Sequence, residues 1–237
     1  MALRRIGIIG AMDEEIALFL SHIRDVKEEN KAGITYFFGT LHGHAIVLCK
    51  SGVGKVNASI CTQQMIDLYS VDRIIFTGVA GGVDPQLDIG DIVVSTDCLQ
   101  HDIDATALSA LDIERGQIPF AETSIFQANE QLVGLALQSG QQFTDVKVTK
   151  GRVLSGDQFI ANAEDVQDLR HTFQGACVEM EGAAVGHVCH ANDVPFVIIR
   201  SLSDKADGSA DVNFMSFTKL ASERSFEMVN RMLKGLD

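Results

Sequence analysis

Carboxylates placed directly after apolar runs carry the chemistry legible in this sequence. In IIGAMDEE, residues 8–15, an apolar run stops at Gly10, and Asp13, Glu14 and Glu15 follow within five residues. Ala80-Gly81-Gly82 follow RIIFTGV, Glu179 and Glu181 flank Met180 after ACV, and Asp204 follows FVIIRSLS. A strand that ends in glycine and feeds a helix usually suits a phosphate, because helix N-termini attract anions. Here the acids would repel one. Each feature alone has an ordinary explanation: first-turn acids complement a helix dipole, a strand-end carboxylate caps a helix, and Gly-Gly marks a turn. No G-x-G-x-x-G or G-K-[ST] phosphate loop is present. Gathered on one rim, however, several carboxylates repel each other unless they bind something. Two candidates are a metal, or the hydroxyl groups and protons of a neutral ligand.

The seven histidines show no H-x-x-x-H or H-E-x-x-H spacing, and His187 and His190, three apart, have no acid that completes a ligand triad. Metal is therefore the weaker option, and neither a metal nor a cofactor is expected. Carboxylates suited to ribose hydroxyls, with Met and Phe residues to pack a planar ring, describe a nucleoside pocket better.

The elements that must position these acids alternate between strand and helix. Residues 4–10 read as a buried strand, and Ile16, Phe19, Leu20 and Ile23 recur at helical spacing over 13–24. Residues 33–40 and 43–50 form a ribbon turning at Leu41–His42. A helix over 55–69 precedes the strand RIIFTGV. Further strands are expected at 91–102, 146–157, 176–180 and 195–204, and helices at 129–139, 163–171, 181–192 and 213–234. Strands rich in Ile and Val between helices predict a three-layer α/β/α sandwich with a mixed, mainly parallel central sheet. No repeat, linker or low-complexity tract divides the chain, so one domain over residues 1–237 is expected. Ligands in such folds gather at the carboxyl ends of strands, where the three acidic features and the Gly-Gly pair all lie.

Composition narrows the partners. The net charge is −13, from 32 acids against 19 bases, which argues against nucleic acid or an anionic membrane. The five cysteines, Cys49, Cys61, Cys98, Cys177 and Cys189, are widely spaced with no C-x-x-C pair, as expected of buried thiols in a reducing cytoplasm. No apolar segment approaches the ~20 residues of a membrane span, and the amino-terminal apolar run is too short for a secretion signal. A soluble cytoplasmic protein is expected.

The segments IGIIGAMDEE, KSGVGKVNA, TGVAGG, GDIVVS, SGDQFI, VEMEGAA and RSLSD, in that order from residue 6 to 204, resemble the 5′-methylthioadenosine/S-adenosylhomocysteine nucleosidases of the nucleoside phosphorylase superfamily. The resemblance covers nearly the whole chain and implies a nucleoside phosphorylase-like fold. It also implies hydrolysis of an N-glycosidic bond, releasing adenine from a 5′-thio-substituted ribose. By resemblance, Glu15 matches the acid that activates water, Asp204 the acid that protonates adenine at N7, and Glu181 the carboxylate on the ribose hydroxyls. Met180 then packs beneath the sugar, and Phe159 and Ile160 stack on the base and bond its edge. Met12, Val53, Ala80, Gly81, Glu179, Arg200, Ser203 and Phe214 match other pocket positions. These roles require a raised pKa at Asp204 and an ionised Glu15.

The superfamily's phosphorylases bring in phosphate with arginines, one of them in the first loop. Asp13-Glu14-Glu15 there suit water as nucleophile instead. Related nucleosidases for 6-amino-6-deoxyfutalosine or 5′-deoxyadenosine would use the same residues, whereas a binding module without turnover would need neither an acid nor a base. Two departures stand out. Val79 replaces the serine common in the family, and residues 106–119 are longer than usual in the segment that reaches across the family's homodimer. Leu108, Leu111, Ile113, Ile118 and Phe120 in that region form an apolar set suited to pairing.

Overall fold

The computed structural model describes residues 5–206 and 210–236, with the backbone alone for 210–213. In chain order the strands are β1 (Arg5–Gly10), β2 (Arg24–Lys31), β3 (Ile34–Leu41), β4 (His44–Lys50), β5 (Arg73–Gly82), β6 (Ile92–Gln100), β7 (Phe126–Gln127), β8 (Val148–Ser155), β9 (Gly175–Glu179) and β10 (Phe196–Asp204). The helices are α1 (Asp13–His22), α2 (Lys55–Tyr69), α3 (Glu130–Gly140), α4 (Ala163–Phe173), α5 (Gly182–Ala191) and α6 (Ala210–Lys234).

Consecutive strand residues point to opposite faces of the sheet, and both faces are covered. Ile8, Ile75, Val197 and Ile199 pack with Ile16, Phe19, Phe226 and Val229 of α1 and α6. Ile9, Ile74, Phe76 and Ile198 pack with Ala58, Cys61, Met65 and Val185 of α2 and α5. This is why these strands read as unbroken Ile/Val runs, each full burial stabilising by about 1.5–3 kcal/mol. The three-layer arrangement and the mixed sheet follow the sequence expectation.

β1 lies parallel to β4 and β5, and β5 parallel to β10. β10 runs antiparallel to β6, which is parallel to β8, and β8 is parallel to β9. β9 returns antiparallel to β5 at Gly81 and Gly82, so five strands close a ring in which β5 is shared. The Gly-Gly pair is therefore not a turn but the fork where β5 leaves β10 for β9. A Cβ on Gly81 would come within 2.9 Å of Asp204 Oδ1 and 2.8 Å of Ala206 Cβ, so the close approach excludes a side chain.

β2 is absent from the sequence expectation. Its eight residues, RDVKEENK, are all exposed at the sheet edge, where charges discourage further pairing. Among the described residues no helix is long and apolar enough to cross a membrane.

Candidate active site

The carboxyl ends of β1, β5, β9 and β10 open onto a cavity of about 320 Å³. Met12 and Glu15 enter from the first loop, Ala80 and Gly81 from β5, and Glu179, Met180 and Glu181 from the β9–α5 junction. Ser203 and Asp204 arrive from β10. Neighbouring strand residues normally face opposite ways, but the β5–β10 register shifts between Leu202 and Asp204. That bulge lets both side chains face the cavity. Val53, Phe159, Ile160 and Phe214 form the opposite wall. Phe159 and Phe214 meet edge-to-face at 5.7 Å, and Phe159 is half exposed.

The three first-loop acids divide sharply. Asp13 and Glu14 are exposed, and Asp13 pairs with Lys50 at 2.8 Å, an ordinary first-turn acid. Glu15 is buried, and its side chain folds back over the N-terminus of α1. Its Oε2 accepts from Ala11 N at 2.6 Å and Met12 N at 3.0 Å, and its Oε1 accepts from Val79 N at 2.9 Å. Val79 cannot offer a hydroxyl, but its backbone N–H holds the carboxylate. Gly78 passes so close that a Cβ would overlap Glu15 Oε1 and Arg200 Nη1. Burial pushes the Glu15 carboxyl above its usual range, opposed by Arg200 and by the Val79, Met12 and Ala11 N–H groups.

Arg200 is fully buried beneath the cavity floor, its guanidinium 4.0 Å over the Phe76 ring. It bonds Glu179 directly and lies 3.8 Å from both Glu15 Oε1 and Glu181 Oε2. Glu179 also accepts from Ser155 Oγ and from Gly182 N at 2.8 Å, at the positive end of α5. Glu181 Oε1 accepts from Gly54 N at 2.8 Å. Its pKa is raised by burial and by Glu179, against the pull of Arg200 and the Gly54 N–H. Three carboxylates thus share one guanidinium, while Asp204 stands apart, bonded by Ser203 Oγ at 2.8 Å and Ala206 N at 2.7 Å.

A family model described as the phosphorylase superfamily matches residues 5–234. The chain is 39% identical over 233 residues to a 5′-methylthioadenosine/S-adenosylhomocysteine nucleosidase of Bacillus velezensis, covering 98% of this chain and 99% of that one. The chain belongs to the 5′-methylthioadenosine/S-adenosylhomocysteine nucleosidase family of the phosphorylase superfamily. Its fold is similar to that of the Neisseria meningitidis nucleosidase solved with methylthio-immucillin-A, with a TM-score of 0.94 and 37% identity over 99% of this chain and 100% of that one. It is also similar to the futalosine hydrolase of Helicobacter pylori, with a TM-score of 0.93 and 33% identity over 99% of each chain.

Within this family member, the structure brings the sequence-selected residues to one place with a single exception. Arg200 does not line the cavity but underlies it, because the guanidinium must reach all three carboxylates from below. Three lining residues, Ala11, Gln158 and Val178, were not selected from the sequence as pocket positions, and Val79, noted there as a departure from the family, also lines the cavity. Each is the immediate neighbour of a selected residue, so flanking position was the available signal. Ser155, although it opens the segment SGDQFI, and Ser225 were not selected as site residues. Ser155 supports Glu179 from β8 and accepts from Ala183 N at 2.7 Å, and Ser225 on α6 accepts the Gly78 N–H at 3.0 Å from a distant part of the chain.

Proposed function

We propose that the chain, acting as one nucleosidase domain, hydrolyses the N-glycosidic bond of 5′-methylthioadenosine and S-adenosylhomocysteine. The products are adenine and the 5-thio-substituted ribose. One observation carries this reading: among the described residues lining the cavity there are four carboxylates and no lysine or arginine. Arg200, the nearby guanidinium, is committed to Glu15, Glu179 and Glu181. Such a site repels phosphate and selects water as the nucleophile for a neutral nucleoside.

Cleavage develops positive charge on the ribose, which buried carboxylates stabilise strongly in a low-dielectric site. Glu15 accepts a proton from the attacking water, and the charge developing beside it favours the ionised carboxylate that burial alone disfavours. Glu181 holds the ribose hydroxyls over Met180. Asp204 delivers a proton to adenine N7, while Phe159 and Ile160 bound the base. Geometry supports this division, because Glu15 and Asp204 enter from separate strand ends with separate hydrogen-bond partners.

Purified protein incubated with 5′-methylthioadenosine should release adenine and free 5-methylthioribose at a rate that added phosphate leaves unchanged. 5-Methylthioribose 1-phosphate among the products would overturn the reading. The likeness to a futalosine hydrolase supports a second substrate class, and turnover of 6-amino-6-deoxyfutalosine alone would move the assignment there. Leu108, Leu111 and Phe120 are exposed, which supports pairing into a homodimer through that edge. All five cysteines are free and buried, in keeping with a cytoplasmic setting.

A further inference from the structure

The amide that holds Glu181 belongs to Gly54, the residue preceding α2, and Gly54 is itself anchored by its neighbour. Lys55 N donates to Asp157 Oδ1 at 2.8 Å, and Lys55 Nζ pairs with Asp102 Oδ1 at 2.6 Å. The other Asp102 oxygen accepts from Asp157 N at 2.9 Å. Three loops, following β4, β6 and β8, therefore close a triangle of charge-assisted bonds beside the cavity. The Lys55 and Asp102 side chains are only 16% and 17% exposed, so water does not readily replace either partner.

We propose that Lys55 and Asp102 are positioning residues for Glu181, holding the 54–55 backbone so that the Gly54 N–H stays aimed at Glu181 Oε1. Among the described residues the Glu181 carboxylate has two restraints, the Gly54 N–H on one oxygen and Arg200 from beneath the cavity. Arg200 approaches only to 3.8 Å, so the amide sets the carboxylate's orientation. Loss of the Lys55 charge strands Asp102 without its cation and frees the loop that carries Gly54 and the cavity residue Val53. The effect falls on the ribose, because Glu181 is the group assigned to the ribose hydroxyls. In that respect the inference rests on the proposed function.

The test measures binding of adenine and of 5′-methylthiotubercidin by calorimetry for wild type, Lys55→Met, Lys55→Arg and Asp102→Asn. Met keeps the backbone N–H and the helix propensity but not the charge. The Kd advantage of the nucleoside over adenine should fall about tenfold in Lys55→Met and Asp102→Asn, the lower end for lost support of a site residue. Lys55→Arg should restore it to within about threefold, since it keeps the charge that pairs with Asp102. A bland ion pair would lower the melting temperature and leave that ratio alone. An unchanged ratio in both charge-removing variants overturns the inference, as does a loss shared equally by adenine. Adenine release from 5′-methylthioadenosine by wild type is scored separately. Its absence with the binding ratios behaving as expected removes the hydrolase reading and leaves the positioning role standing.

Discussion

Arg200→Met removes the one positive charge shared by Glu15, Glu179 and Glu181 while keeping an apolar side chain against Phe76. At an effective dielectric of ~20, each contact near 4 Å is worth about 4 kcal/mol before desolvation is subtracted. Burying the guanidinium offsets much of that, and removal of one partner from a buried ion pair costs about 3–5 kcal/mol net. The total stability of such a domain is about 5–15 kcal/mol, so the variant should fold at neutral pH with a sharply lowered urea midpoint. The loss should also depend on pH, because carboxylates left without a counter-charge take up protons. One extra proton bound by the folded variant returns about 1.4 kcal/mol per pH unit, so urea melts at pH 6 should recover about 2–3 kcal/mol of the loss seen at pH 8. Wild type treated identically supplies the reference. An equal loss at both pH values would refute the reasoning and assign the effect to packing on Phe76. A loss under about 1 kcal/mol would mean that the carboxylates are already neutral in the unliganded protein.

Asp204→Asn keeps a hydrogen-bonding partner for the adenine edge but cannot deliver a proton, so turnover should drop at least ~10²-fold while 5′-methylthiotubercidin still binds. Glu15→Gln should lose most turnover with binding intact or tighter, whereas a mere helix cap would cost about 1 kcal/mol of stability and spare activity. Burial holds Glu15 and Glu181 above the ordinary 4.5, so the folded state binds more protons than the unfolded chain and stability falls as pH rises through that window. Buried His101 and partly buried His187, lowered from 6.5 by desolvation, act in the opposite sense below that value. The melting temperature should therefore fall between pH 6.5 and pH 8, and Glu181→Gln should flatten the slope; an unaltered slope counts against the assignment. Sedimentation at micromolar concentration should give a dimer, and a fully active monomer would contradict the pairing edge.

Helices and buried strands were legible because their periodicity reports burial directly. α2 begins and ends where the sequence places it, at Lys55 and Tyr69, and β10 reads as a run buried at every position. The edge strand β2 was not legible, since a strand with no buried face carries no alternation. The acids at strand ends could be picked out as a group from the residues alone, whereas a division of labour among them came only through the family resemblance. Glu15 and Asp13 look alike in the sequence, and only the fold buries one and exposes the other. Supports such as Ser155, Ser225 and the Lys55–Asp102 pair are short-range in space and long-range in sequence: Ser155 and Lys55 lie within SGDQFI and KSGVGKVNA, but no local pattern names their partners.

Closure of the ring through β5 also decides when the site comes into being. Its carboxylates are drawn from residues 15, 179, 181 and 204, and the β5–β10 seam that brings in Asp204 joins segments more than a hundred residues apart. Contacts of such sequence separation form late on a folding pathway, after local helices and the β3–β4 hairpin. During synthesis residues 196–204 must have emerged before β10 can insert beside β5, so a product that stops short of residue 200 lacks both the Asp204 carboxyl and the Arg200 that neutralises the others. Catalytic competence should then appear in one step with global folding, and refolding followed by adenine release should track the slowest phase seen by any structural probe.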